Sequence, residues 1–184
     1  SHYWDMEELD HGRPLLGLHG TQVGIATRLS AMLFARLLAV DPATIDPVAL
    51  AARRGTKDDF LVALRREHAR LSPGVIGEIE AQILRKQKFG DELVAELTRV
   101  KDRWSEITQR ISAATLPVAT IEKALREAGC VDRPSAIGCD AARAIHTLRV
   151  CRHLRDRYCA LDLIDDLGFL DTWAAQAVAT AEAN

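Results

Sequence analysis

Residues 23–40 constrain the fold more than any other stretch. Val23, Ile25, Ala26, Leu29, Met32, Leu33, Phe34, Leu37 and Leu38 recur at helical spacing but occupy most of the helix circumference. A helix with so little polar face cannot lie on a surface, so it is expected at the centre with other elements around it. Arg28 and Arg36 interrupt it, and it falls short of the ~20 uninterrupted apolar residues that cross a bilayer. No membrane partner is therefore expected. Thr21 offers a cap for this helix, and Gly12, Pro14 and Gly17 make 11–20 a loop.

The rest of the chain reads as the covering helices. Residues 1–10 carry Tyr3, Trp4, Met6 and Leu9 at mixed helical spacing. Asp41-Pro42 and Asp46-Pro47 mark a turn and a short helix over 48–54. Residues 56–68 are amphipathic, with Phe60, Leu61 and Leu64 inward, and Ser72-Pro73 opens a helix through Ile83 and Leu84. Leu93, Leu97, Val100, Trp104, Ile107 and Ile111 predict one long helix over 91–111. Pro117 starts another helix, ended by Gly129. Residues 139–158 follow as a helix, and 161–183 as a stretch broken at Gly168. No alternating strand pattern and no solenoid repeat is present. The expectation is an all-α, non-repeating bundle of about eight helices, one domain over 1–184. A chain of 184 residues buries roughly two thirds of its unfolded surface.

Twenty-four basic and 26 acidic residues leave a net charge of −2, which argues against a nucleic-acid partner. Cys130, Cys139, Cys151 and Cys159 form no C-x-x-C pair and are read as reduced thiols of a cytoplasmic protein. No signal peptide precedes Ser1-His2-Tyr3-Trp4, which reads as the middle of a helix. The expectation is a chain that begins inside a larger protein.

Candidate chemistry concentrates near the start. His2, Asp5, Glu7, Glu8, Asp10 and His11 precede Leu18-His19-Gly20. Imidazole is the commonest ligand for zinc, iron and nickel. His19 lies at the entrance to the central helix, with Gly20 removing bulk beside it, and a helix N-terminus suits an anion. Against this stands the plain reading: surface histidines in a loop, and Asp5, Glu7, Glu8 and Asp10 as a solvated helix face. His68 is expected as a cation at a helix end, and His146 and His153 as packed or surface residues. Arg149, Arg152, Arg155 and Arg157 are expected on a solvated face whose end near Tyr158 could meet a phosphate. Spacing alone pairs His2 with His19.

Ser1-His2-Tyr3-Trp4 followed by Leu18-His19-Gly20-Thr21-Gln22-Val23-Gly24-Ile25-Ala26 resembles the sn-glycerol-1-phosphate dehydrogenases. They belong to the superfamily of iron-containing alcohol dehydrogenases, glycerol dehydrogenases and dehydroquinate synthases. Arg155-Asp156-Arg157-Tyr158-Cys159-Ala160-Leu161-Asp162-Leu163 resembles a later segment of the family, with Cys159 where Thr is usual. The resemblance implies the C-terminal helical half of a two-domain enzyme, its nucleotide-binding domain outside this chain. It implies a divalent metal (Zn, Ni or Fe) held by one Asp and two His, and NAD(H) or NADP(H) as hydride carrier. The implied reaction interconverts dihydroxyacetone phosphate and sn-glycerol 1-phosphate. His19 matches the second metal histidine. His2 matches a substrate-contacting histidine, while the first metal histidine falls before Ser1. The chain alone is expected to be inactive, because catalytic metals normally take about three protein ligands. An apolar face left by the other half would favour a homo-oligomer. The rival readings are a glycerol dehydrogenase or cyclitol synthase of the same superfamily, or a non-enzymatic helical interaction module using the amphipathic helices of 56–112.

Overall fold

The computed structural model describes residues 1–183 and is all-α and non-repeating. In chain order the helices are α1 (His2–Asp10), α2 (His19–Leu38), α3 (Pro47–Arg54), α4 (Lys57–Glu67), α5 (Pro73–Leu84), α6 (Gly90–Asp102), α7 (Trp104–Ala114), α8 (Val118–Glu127), α9 (Ala141–Val150), α10 (Ala160–Asp166) and α11 (Leu170–Ala183). Single 3-10 turns occupy Pro42–Thr44, Pro134–Ile137 and Cys151–Leu154. None of these helices is long and apolar enough to cross a membrane.

Several boundaries follow from local chemistry. Asp46 Oδ1 accepts from the backbone N–H groups of Val48 and Ala49, with Pro47 as the first helical residue of α3. Thr56 and Asp59 close a capping box at the start of α4. At Gly168, between α10 and α11, φ is +86°, and an added Cβ would lie 3.1 Å from the Arg53 guanidinium. Both the left-handed backbone and the close approach require glycine.

The eleven helices exceed the eight expected. The predicted long helix over 91–111 breaks at Arg103 into α6 and α7. The break lets Trp104 turn inward, where its indole Nε1 donates to the carbonyl of Val40 at 3.2 Å. The predicted helix over 139–158 stops at Val150. Its continuation tightens into the Cys151–Leu154 turn, which buries both Arg152 and His153.

As the sequence requires, α2 is central. Ile25, Leu29, Leu33 and Leu37 are fully buried, and α8 and α11 lie against it. Even Arg28 is 1% exposed, satisfied by Glu122 of α8 and by the carbonyls of Asp132 and Ala181. A buried charge is tolerated only with such pairing. This larger core extends through Leu93, Leu97, Leu148, Ile164 and Val178. A smaller core of Tyr3, Leu64, Leu71, Ile79, Ile83 and Val150 joins α1 to α4, α5 and the end of α9. Helix α1 contributes to both, through Trp4 and Tyr3.

Candidate functional site

His2 and Asp5 lie three residues apart on α1, and His19 and Gln22 three apart on α2. That spacing puts each pair on one face of its helix. The two faces meet. The rings of His2 and His19 contact edge to face with centroids 5.5 Å apart. His19 Nδ1 lies 3.3 Å from Asp5 Oδ2. The other carboxylate oxygen of Asp5 accepts from Gln22 Nε2 at 2.8 Å, and the same amide donates to the carbonyl of Leu16 at 3.0 Å. Asp5 therefore ties α1 to α2, and Gln22 ties both to the intervening loop.

His19 is the first residue of α2, after an extended Leu18 that makes no side-chain cap. The expected cap at Thr21 is thus replaced by a helix that starts two residues earlier. The His19 side chain is 55% exposed. With Nδ1 directed at Asp5, its Nε2 is the nitrogen left for a ligand, an arrangement in which a carboxylate orients a metal-binding imidazole. Gln22, fully buried, is the residue sequence reasoning missed. Its place one turn after His19 was the available signal.

His2 also borders a cleft of about 540 Å³ between α2, the end of α7 and α8, lined by Val23, Ala26, Phe34, Leu116 and Ile121. The lining carries no Lys, Arg, Asp or Glu. Among the described residues no group of three or more His, Cys, Asp or Glu side chains is arranged to hold a metal ion. His19 and His2 alone therefore do not complete a three-ligand metal site.

A second histidine cluster lies on the other side of α1. Tyr3 Oη is 3.1 Å from His68 Nδ1 and 3.4 Å from His146 Nε2, and His68 Nε2 is 3.0 Å from His153 Nδ1. His146 Nδ1 in turn meets Glu67 at 3.3 Å. Burial pushes the His68 imidazole down to about 4, with His146 adding to the effect. Burial also holds His153 well below the usual histidine range, reinforced by Arg152. His68 is therefore a buried neutral group and not the helix-end cation the sequence suggested. His153 Nε2 has no protein partner and borders a cavity of about 170 Å³ that Arg54, Arg149 and Asp165 also line.

Next to this cluster the expected solvated arginine face is partly buried. Arg152 is 5% exposed and bonds Asp162 at 3.1 Å and Asp165 at 2.6 Å. Lys86 joins Asp162 from α5's end at 2.7 Å, and Arg54 joins Asp165 and Asp166. Tyr158 donates to Asp166 at 2.7 Å, so its hydroxyl is committed inside the protein. Arg155 and Arg157 remain exposed. The expected solvated carboxylates of α1 are likewise corrected. Glu7 and Glu8 are buried and paired with Arg143, Glu8 also with Arg13, while Asp10 accepts from Ser72.

Compared with family models, curated proteins and solved structures, the chain matches none of them.

Proposed function

We propose that the chain is the metal- and substrate-holding helical part of an NAD(P)-dependent glycerol-1-phosphate dehydrogenase. The observation that supports this most is the meeting of His19 with His2, which borders a cleft, while Asp5 orients His19. Both histidines were singled out by the resemblance, and they come from different helices. In this reading His19 is one metal ligand, held by Asp5, and His2 faces the substrate. In this reading the remaining metal ligands lie outside the chain, one of them a histidine before Ser1, and the nucleotide belongs to a separate nucleotide-binding domain. A bound divalent metal would polarise the substrate oxygen. The chain's own residues orient an imidazole and present an apolar, water-poor wall beside it.

Calorimetric titration of the purified chain with Zn²⁺ tests this. His19→Ala is expected to weaken binding at least about tenfold, and Asp5→Asn to fall between it and the parent, as loss of an orienting carboxylate does. Unchanged Zn²⁺ binding in His19→Ala would remove the proposal. Dihydroxyacetone phosphate added to the zinc-loaded chain should shift the imidazole signals of His2. A silent His2 with zinc still bound would remove the substrate assignment.

A second reading, a helical interaction module, is favoured by one feature. The cleft is almost wholly apolar, and Leu116 and Leu18 stand exposed beside and near it. In this reading the cleft receives an apolar helix of a partner. Zinc binding that survives in His19→Ala, together with concentration-dependent self-association, would favour it.

A further inference from the structure

A second cleft, of about 460 Å³, lies where the end of α4 faces the start of α9, and its wall includes His146, Glu67, Arg66, Arg70, Arg143 and Glu7. Its charges are unevenly committed. Arg143 is bound by Glu7 and Glu8. Glu67 is shared between Arg149 and His146. The third carboxylate of the lining, Asp140, caps α9 by accepting from the backbone N–H of Arg143. Each carboxylate in the cleft thus has a partner. The side chains of Arg66 and Arg70 make no hydrogen bond or ion pair with any described residue, and both are exposed at its edge. Arg70 is close enough to His146 to act on its charge.

Two exposed arginines, one in the last turn of α4 and one in the turn that follows it, are ordinarily solvated. Here they border a concave space whose carboxylates already have partners and whose wall carries a half-buried imidazole. That space is within the range of small-molecule sites. We propose that this cleft binds the phosphate group of a small phosphorylated molecule. Arg66 and Arg70 form charge-assisted hydrogen bonds to its oxygens, while His146, whose ring nitrogens are engaged by Tyr3 and Glu67, senses the bound charge from the cleft wall. Guanidinium groups suit such oxygens because their planar N–H groups bind two at a time. Behind His146 the Tyr3 hydroxyl, itself held by His68, contacts its ring. The site is independent of the His2–His19 pair: it lies on the opposite side of α1 and involves no metal.

The experiment follows His146 by NMR while the full chain is titrated with inorganic phosphate, then with glucose 6-phosphate. Glucose at the same concentration serves as the uncharged control. Both phosphates are expected to move the His146 signals and to raise its titration midpoint, because a bound dianion favours the imidazolium. The double variant Arg66→Ala/Arg70→Ala should weaken binding by about tenfold or more, and Arg66→Lys/Arg70→Lys should recover part of it. The arginines are exposed, so the variants are expected to fold, and unchanged circular dichroism would verify that. Binding to glucose alone, equal binding by the double variant, or no response of His146 would each overturn the proposal. Zinc titrations read at His19 are unaffected by any of these outcomes, so the two sites stand or fall separately.

Discussion

Two groups of histidines lie on either side of the same nine-residue helix. On one side His2 meets His19 in partial exposure, with Asp5 and Gln22 fixing the geometry. On the other, Tyr3 meets His68 and His146, and His68 in turn meets the buried His153. The first pair keeps ring nitrogens accessible, as a ligand site needs. In the second, His68 and His146 spend both nitrogens on neighbouring side chains and His153 one, and burial keeps His68 and His153 neutral. In the proposed reading the same residue type serves a ligand at His19 and core architecture at His68 and His153, and exposure decides which.

Removing the charged support of the buried side should have the largest effect. Arg152→Ala leaves Asp162 with Lys86 alone and Asp165 with Arg54 alone, and removing one partner from such a buried network costs up to about 3–5 kcal/mol. Chemical denaturation should show a loss of that size, and a change below about 1 kcal/mol would mean that water already screens the network.

Acid should separate the two sides next. The folded-state pKa of His68 is depressed to about 4, and that of His153 is also depressed. The unfolded chain therefore binds protons first, near pH 6.5. Stability is full above about pH 6.5 and falls as the pH drops towards 4. Urea unfolding at successive pH values should show this slope. Replacing His68 by Phe should flatten it, whereas His19→Ala should leave it in place.

A smaller effect is expected for Tyr3→Phe. It removes one hydroxyl that touches both His68 and His146, which is worth about 1 kcal/mol. Smallest is His19→Ala, an exposed contact whose loss should change stability by less than about 0.5 kcal/mol. A large destabilisation by His19→Ala would place that histidine with the structural group and dissolve the contrast.

How much of this could be read from the sequence differs between the two sides for a physical reason. The centrality of α2 was legible because nine apolar positions leave it little polar face. The starts of α3 and α5 were legible from Asp46-Pro47 and Ser72-Pro73, where caps and prolines act within a few residues. The His2–His19 pair was suggested by a local motif, and Asp5 lies one turn from His2. The buried cluster joins residues 65, 85 and 143 positions apart, and no local spacing encodes such contacts. For the same reason Glu7, Glu8 and Arg152 read as solvated charges: their partners are Arg143, Asp162 and Asp165, brought near by the packing of α9 and α10. The break at Arg103 was hidden because the apolar stripe runs through it without a glycine or proline.

The most direct test resolves all six histidines at once. Long-range nitrogen–proton NMR of the full chain, recorded while Zn²⁺ is added, reports each imidazole separately. The account predicts that the His19 signals shift first, with His2 moving beside them, while His68 and His153 stay neutral and unmoved. Zinc-dependent shifts at the buried histidines, with His19 silent, would contradict it.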